Sequence, residues 1–77
     1  MELGQARSAV VELLALVMEL EPTRITDDAL LEADLGADSL AVVEVVFGIE
    51  ERHGIRLADD VVRGVRTVSD LVTAVAD

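Results

Sequence analysis

Apolar residues recur at helical spacing near the start of the chain and predict a first helix from Leu3 to about Leu20. The apolar stripe consists of Ala6, Val10, Leu13, Leu14 and Val17. Charged side chains in this segment lie mostly off the stripe, so one face of the helix can be buried. Pro22 cannot continue a helix because it lacks the backbone N–H and restricts the preceding residue. We therefore expect the helix to end near Leu20 or Glu21.

The segment from Thr23 to Asp38 shows no sustained periodicity and predicts a long ordered loop between the first two helices. It is rich in acidic residues and contains Gly36. Four apolar side chains can attach it to a core, namely Ile25, Leu30, Leu31 and Leu35. Loops of this length without their own secondary structure are uncommon and are often functional. We therefore expect this loop to contribute to function.

The segment from Ser39 to about His53 carries conflicting signals. Its β-branched residues, by propensity alone, favour a buried strand: Val42, Val43, Val45 and Val46. Length favours a helix, since the segment spans about fifteen residues and opens with Asp38 and Ser39, which can cap a helix. At the other end, Gly54 is a typical terminator and the basic residues before it suit the helix dipole. We predict a second helix, with a strand as the alternative.

A short third helix is predicted after an extended segment that follows Gly54. Asp59 and Asp60 stand where acidic residues favour a helix start, and the helix should run from about Asp59 to Arg63 and end at Gly64.

A fourth helix should begin at Thr67, which has capping-box spacing to Asp70. Its predicted buried face consists of Leu71, Val72 and Val75. The whole pattern predicts an all-α domain, a four-helix bundle with three longer helices, a short third helix and a long loop between helices one and two.

The predicted second helix has two apolar stripes. One consists of Val42, Val45, Val46 and Ile49, and the other of Leu40, Val43 and Phe47. One stripe must face the core. In a domain this small we expect the second to stay partly exposed and to form a docking surface, although burial of both stripes is the alternative. The acidic residues that flank it are Glu44, Glu50 and Glu51.

Composition limits the possible functions. Hydrophobic residues make up 52% of the 77 residues, but Phe47 is the only aromatic, so the core must be aliphatic. A chain this short hides only roughly 60 to 65% of its unfolded surface, which disfavours a deep cleft for a large substrate. There is no cysteine, and this excludes disulfides, thiolate metal sites and cysteine nucleophiles.

The net charge of −10 comes from sixteen acidic residues against six arginines. Such a surface repels nucleic acid and anionic membranes, and it favours partners with basic patches. No segment reaches the roughly 20 apolar residues of a membrane span, and the N-terminus lacks the pattern of an export signal. We expect a soluble, cytoplasmic monomer.

Ser39 is the candidate functional residue. Serine is a favoured N-cap, so it can simply satisfy backbone donors at the helix start. Asp38 can perform that role instead, which would leave Ser39 in the first helical turn. There the backbone donors and the helix dipole can stabilise an attached phosphate.

The sequence Asp-Leu-Gly-Ala-Asp-Ser-Leu from Asp34 to Leu40 resembles the modification motif of acyl carrier proteins. The resemblance continues through Val43–Val46, Glu50–Glu51 and Thr67–Val68, and so describes residues 1–77 as one acyl carrier domain. It implies a 4'-phosphopantetheine arm joined by a phosphodiester to Ser39 Oγ, installed from coenzyme A by a phosphopantetheinyl transferase. The arm's thiol would carry acyl groups as thioesters for fatty acid or polyketide biosynthesis. The resemblance implies a carrier with no catalytic residues and no metal.

The same resemblance implies a surface for acyl-processing enzymes of the acyltransferase, ketosynthase and reductase types. Its apolar members are Leu40, Val43 and Phe47, and its acidic members are Asp38, Glu44, Glu50 and Glu51. The loop and third helix that often complete this face are matched by Leu57, Asp59 and Asp60. Many family members have methionine where Phe47 stands, and a rigid aromatic would narrow the set of partners.

Other functions fit the sequence less well. A peptidyl carrier is the nearest rival, but Ala37 and Asp38 before the serine are more typical of acyl carriers. A helical interaction module would use the Leu40 stripe with Ser39 as an ordinary cap. A calcium loop started at Asp34 lacks the required final Glu, and a Ser–His triad fails because His53 lies roughly 20 Å from Ser39 along a continuous helix.

Overall fold

The computed structural model describes all 77 residues, which fold into four α-helices. The helices are α1 (Leu3–Met18), α2 (Ser39–His53), α3 (Asp59–Gly64) and α4 (Val68–Ala76), with one 3-10 turn at Pro22–Arg24. All four predicted helices are present, and α2 has the predicted bounds. The all-α fold with a short third helix and a long first loop is therefore confirmed. None of the helices combines the length and apolar content that crossing a bilayer requires.

The end of α1 lies before the predicted Leu20 or Glu21. Glu19 adopts a left-handed conformation (φ 55°), and its backbone N–H donates to the Ala15 carbonyl. The Leu20 N–H donates to the same carbonyl at 3.0 Å. The chain therefore turns away at Glu19, before Pro22 can act as the stop signal.

The core is entirely aliphatic and lies between α1, α2, α4 and the first loop. The largest completely enclosed side chains are Leu14, Ile49, Leu71, Val10, Val45, Val68, Val72 and Val75. Gly48 marks the close approach of α2 to α1, because a Cβ atom built there would lie 2.5 Å from Leu13 Cδ1. The absence of a side chain at this position lets the two helices pack together.

The first loop is held to the core and to the connection between α3 and α4. Ile25, Leu31 and Leu35 are buried as predicted, whereas Leu30 is 43% exposed. Leu30 forms an isolated antiparallel bridge with Thr67 and lines a pocket that is open to solvent. A bidentate ion pair of Arg7 with Asp27 ties the loop to α1.

Backbone hydrogen bonds join the loop to the segment before α4. The Leu31 N–H donates to the Arg66 carbonyl at 2.9 Å, and the Val68 N–H donates to the Ala29 carbonyl at 3.1 Å. These hydrogen bonds hold the loop in one conformation on the surface of the molecule. This explains why it needs no regular secondary structure of its own.

The start of α4 is fixed by the predicted capping box. Thr67 Oγ1 accepts from the Asp70 N–H at 3.0 Å, and Asp70 Oδ2 accepts from the N–H groups of Thr67 and Arg66. These hydrogen bonds lower the pKa of Asp70 below its ordinary value, and the largest contribution comes from the Arg66 N–H. Leu71, Val72 and Val75 are buried, as predicted.

Candidate functional site

Ser39 is the first residue of α2, and its neighbour Asp38 is the cap. Asp38 has an extended backbone, and its Oδ1 accepts from the Ala41 N–H at 3.0 Å. The Asp38 carbonyl accepts from the Val42 N–H at 2.9 Å. Asp38 therefore satisfies the donors that a serine cap would otherwise serve, and the Ser39 side chain is exposed and makes no hydrogen bond.

The residues before Ser39 fix its position. Leu35 and Ala37 are buried, and the Ala37 N–H donates to the Leu31 carbonyl at 2.7 Å. Between them, Gly36 has a positive φ of 74°, which glycine adopts without strain. The chain is thus anchored on both sides of a tight turn immediately before Ser39, and this turn explains the glycine in the sequence motif.

Two backbone donors beside Ser39 have no partner. The N–H groups of Ser39 and Leu40 make no hydrogen bond, because the acceptors of Asp38 serve Ala41 and Val42. Unpaired N–H groups at a helix N-terminus, with the positive end of the helix dipole, are suited to an anionic phosphate. The residues present therefore fit a phosphodiester on Ser39 Oγ.

The Ser39 hydroxyl makes no hydrogen bond to a side chain that could act as a general base. The only histidine, His53, is the last residue of the 15-residue α2, so it lies roughly 20 Å away at the opposite end of the helix. His53 instead lines a separate pocket with Glu2 and Glu12. The acidic residues of the chain do not converge on a group that could hold a metal ion. The Ser39 hydroxyl therefore lies on an exposed residue at the helix start, without the histidine that a Ser–His pair requires.

The two stripes of α2 divide as predicted. Val45, Val46 and Ile49 are buried, and Val42 is half-buried. The exposed stripe consists of Leu40, Val43 and Phe47, which are 69%, 55% and 59% exposed. Three large apolar side chains in solvent on one helix face, starting beside Ser39, form a surface suited to a protein partner.

Most of the predicted acidic members of this surface are also exposed, namely Asp38, Glu44, Glu51, Asp59 and Asp60. Glu50 and Leu57 are different. Glu50 Oε2 accepts from the Leu57 N–H at 2.8 Å, both residues are half-buried, and Leu57 packs against the core. Their hydrogen bond and the packing of Leu57 fix the position of the segment between α2 and α3. They therefore support the exposed surface structurally.

A pocket of about 570 Å³, open to solvent, lies beside Ser39. Its walls come from the first turns of α2, the first loop, α3 and the connection to α4. Apolar side chains form most of it, including Leu31, Val42, Val62 and Val65, and two arginines, Arg63 and Arg66, also line it. Sequence periodicity gave no indication of this pocket, because its walls are brought together by contacts between distant segments.

Known proteins resemble the chain over most of its length. A profile of the family described as "Phosphopantetheine attachment site" matches residues 8–75. The meromycolate extension acyl carrier protein of Mycobacterium leprae is 35% identical over 66 residues, which are 86% of this chain and 57% of that protein. The acyl carrier protein of Zymomonas mobilis is 41% identical over 54 residues, which are 70% of this chain and 69% of that protein.

The meromycolate extension acyl carrier protein of Mycolicibacterium aurum is 32% identical over 65 residues, which are 84% of this chain and 67% of that protein. The chain spans little more than half the length of the Mycobacterium leprae protein.

Proposed function

Because this chain belongs to the phosphopantetheine attachment family, we propose that it is an acyl carrier protein that holds acyl intermediates on a 4'-phosphopantetheine arm at Ser39. The arm supplies a thiol that forms thioesters, and this chain has no cysteine of its own for that purpose. The acyl groups belong to fatty acid or polyketide biosynthesis. The carrier is not itself an enzyme.

One observation supports Ser39 above all. Its hydroxyl is exposed and unpaired at the start of α2, next to two unpaired backbone N–H groups. Asp38 fixes the helix start, and the N–H groups of Ser39 and Leu40 offset the charge of the attached phosphodiester. Ser39 donates no hydrogen bond to a side chain of this chain, and we expect the base that removes its proton to come from the transferase.

We assign partner binding to the exposed face of α2 and its continuation at α3. Leu40, Val43 and Phe47 would fill apolar patches of a transferase or an acyl-processing enzyme. The surrounding acids would meet basic residues of the partner, which speeds encounter and fixes orientation. Acyltransferases, ketosynthases and reductases are the expected enzymes. The cytoplasmic location and the monomeric state stay predictions.

Intact mass spectrometry tests the assignment of Ser39. Incubation with coenzyme A and a broad-specificity phosphopantetheinyl transferase should add the mass of one phosphopantetheine to the native chain and none to Ser39→Ala. Ser69→Ala is the matched control, because Ser69 is also an exposed serine in the first turn of a helix, α4. The control should gain the same mass as the native chain.

Absence of a mass gain in the native chain would contradict the carrier function. The exposed stripe would then favour a helical interaction module. In that case Phe47→Ala would abolish partner binding and Ser39→Ala would not.

A further inference from the structure

Two arginines line the pocket beside Ser39 in a chain whose net charge is −10. Arg63 lies in the last turn of α3, and Arg66 lies in the connection to α4. Two other arginines are neutralised by ion pairs, Arg7 with Asp27 and Arg52 with Glu12. Neither Arg63 nor Arg66 has an ion pair or a side-chain hydrogen bond. The pocket is therefore lined by two arginines that form no ion pair, together with the Asp38 carboxylate.

The backbone holds Arg66 in place while leaving its guanidinium available. Its carbonyl accepts from the Leu31 N–H at 2.9 Å, and its N–H donates to Asp70 Oδ2 at 3.0 Å. Glu32 also lines the pocket, yet it forms no ion pair with either arginine. Behind the backbone hydrogen bonds of Arg66 and Thr67, the charge of Arg66 also helps to lower the pKa of Asp70, yet the two side chains form no ion pair.

We propose that Arg63 and Arg66 bind an oxyanion in the pocket beside Ser39, a proposal that rests on the proposed carrier function. Guanidinium groups bind carboxylates and phosphates through paired N–H donors. Arg63 and Arg66 are both exposed, so the paired donors of the guanidinium groups, and not exclusion of solvent, would hold the anion. A saturated hydrocarbon chain would use only the walls and would leave both guanidinium groups to water.

The oxyanion has two possible sources. The phosphodiester of the arm is attached at Ser39, which itself lines the pocket. The other source is a carboxylate on the acyl cargo, in which case the pocket distinguishes dicarboxylic acyl groups from plain fatty acyl groups. Both sources present the same chemistry to the arginines, and four forms of the protein separate them: apo, holo, octanoyl and octanedioyl.

The arginine Nε–Hε signals of the ¹⁵N-labelled protein are the readout. Arg63→Gln and Arg66→Gln assign the two signals by their loss. Arg24 and Arg56 are internal controls, because both are exposed, form no ion pair and lie outside the pocket. Shifts of the Arg63 and Arg66 signals between apo and holo identify the phosphodiester. Shifts that appear only in the octanedioyl form identify the cargo carboxylate.

A second readout uses the thermal midpoint. The form that moves the arginine signals should also raise the midpoint, and the double variant Arg63→Gln/Arg66→Gln should lose that rise, whereas Arg24→Gln/Arg56→Gln should keep it. Unchanged Arg63 and Arg66 signals in all four forms would overturn the proposal. Equal shifts in the octanoyl and octanedioyl forms, without a shift in the holo form, would overturn it too. Failure of the carrier function itself would show separately, as no mass gain on the native chain.

Discussion

Helices α3 and α4 are neighbours in the chain, but the structure holds them in opposite ways. A capping box fixes the start of α4, and four of its side chains are buried, namely Val68, Leu71, Val72 and Val75. Ala58 precedes α3 without any side-chain cap, and α3 contributes no buried residue. The fold therefore depends on α4, whereas α3 serves as a wall of the Ser39 pocket and as part of the exposed surface.

Truncation of apolar side chains should give the largest difference in unfolding free energy between α3 and α4. Leu71→Ala should lower the unfolding free energy by about 2–5 kcal/mol, because Leu71 is completely buried and its removal leaves a cavity. Val72→Ala in α4 and Val61→Ala in α3 form a matched pair, of which only Val72 is buried. Val61→Ala should change the unfolding free energy by less than about 0.5 kcal/mol. Urea unfolding measures all three, and equal costs for the two valines would contradict the comparison.

Glycine-to-alanine substitutions should have opposite signs in the packed and unpacked regions. Gly48→Ala should lower the unfolding free energy by up to about 2 kcal/mol, because overpacking against Leu13 outweighs the gain in helix propensity. Gly64→Ala in α3 meets no atom within 4 Å and should raise it by up to about 1 kcal/mol. A stabilised Gly48→Ala in the same urea titrations would contradict this expectation and would show that the Leu13 side chain moves aside at little cost.

Substitutions at the helix caps test whether α4 is stabilised by its cap and α3 is weakened by the lack of one. Thr67→Ala should cost about 1 kcal/mol of unfolding free energy, because it removes the acceptor for the Asp70 N–H. Ala58→Ser should supply the acceptor that α3 lacks, without adding another acid beside Asp59. We expect slower hydrogen exchange of the α3 amides in Ala58→Ser and unchanged exchange in α4. Exchange that stays equally fast in α3 would mean that the missing cap does not limit its stability.

The smallest expected effect concerns pH. Backbone hydrogen bonds from Arg66 and Thr67 lower the pKa of Asp70 in the folded state. Its stabilising contribution is therefore present above the ordinary pKa of an aspartate and is lost as the pH falls through the folded-state pKa. Asp70→Asn should lower the midpoint of urea unfolding at neutral pH, and the difference from the native chain should shrink below pH about 4. A difference that stays constant with pH would contradict this origin.

Local signals were sufficient for the helices and for the position of Ser39. Asp38 and Gly54 mark the two ends of α2, and its length outweighed the strand propensity of its valines. The capping box of α4 was equally visible in the sequence, since Thr67 and Asp70 are three residues apart. These features depend on neighbouring residues, which is why the chain order reveals them.

The features that were missed depend on distant contacts. Leu30 was predicted to attach the loop to the core, but it is exposed, and it pairs with the distant Thr67. The hydrogen bond that Glu50 accepts from Leu57 was not predicted, and the role of Glu50 at a partner surface stays a prediction. The pocket beside Ser39 arises only when the first loop meets the segment before α4. The periodicity of a single segment cannot predict contacts between segments that are distant in the chain.

The capping role of Asp38 has a consequence for the life of the protein. Since the helix start draws its hydrogen bonds from the aspartate, the adjacent serine is structurally idle. The polypeptide can gain, keep or lose a large substituent at that position while its architecture stays the same. The start of α2 should therefore be equally well ordered in bare and loaded molecules, whatever a bound oxyanion adds to the thermal midpoint.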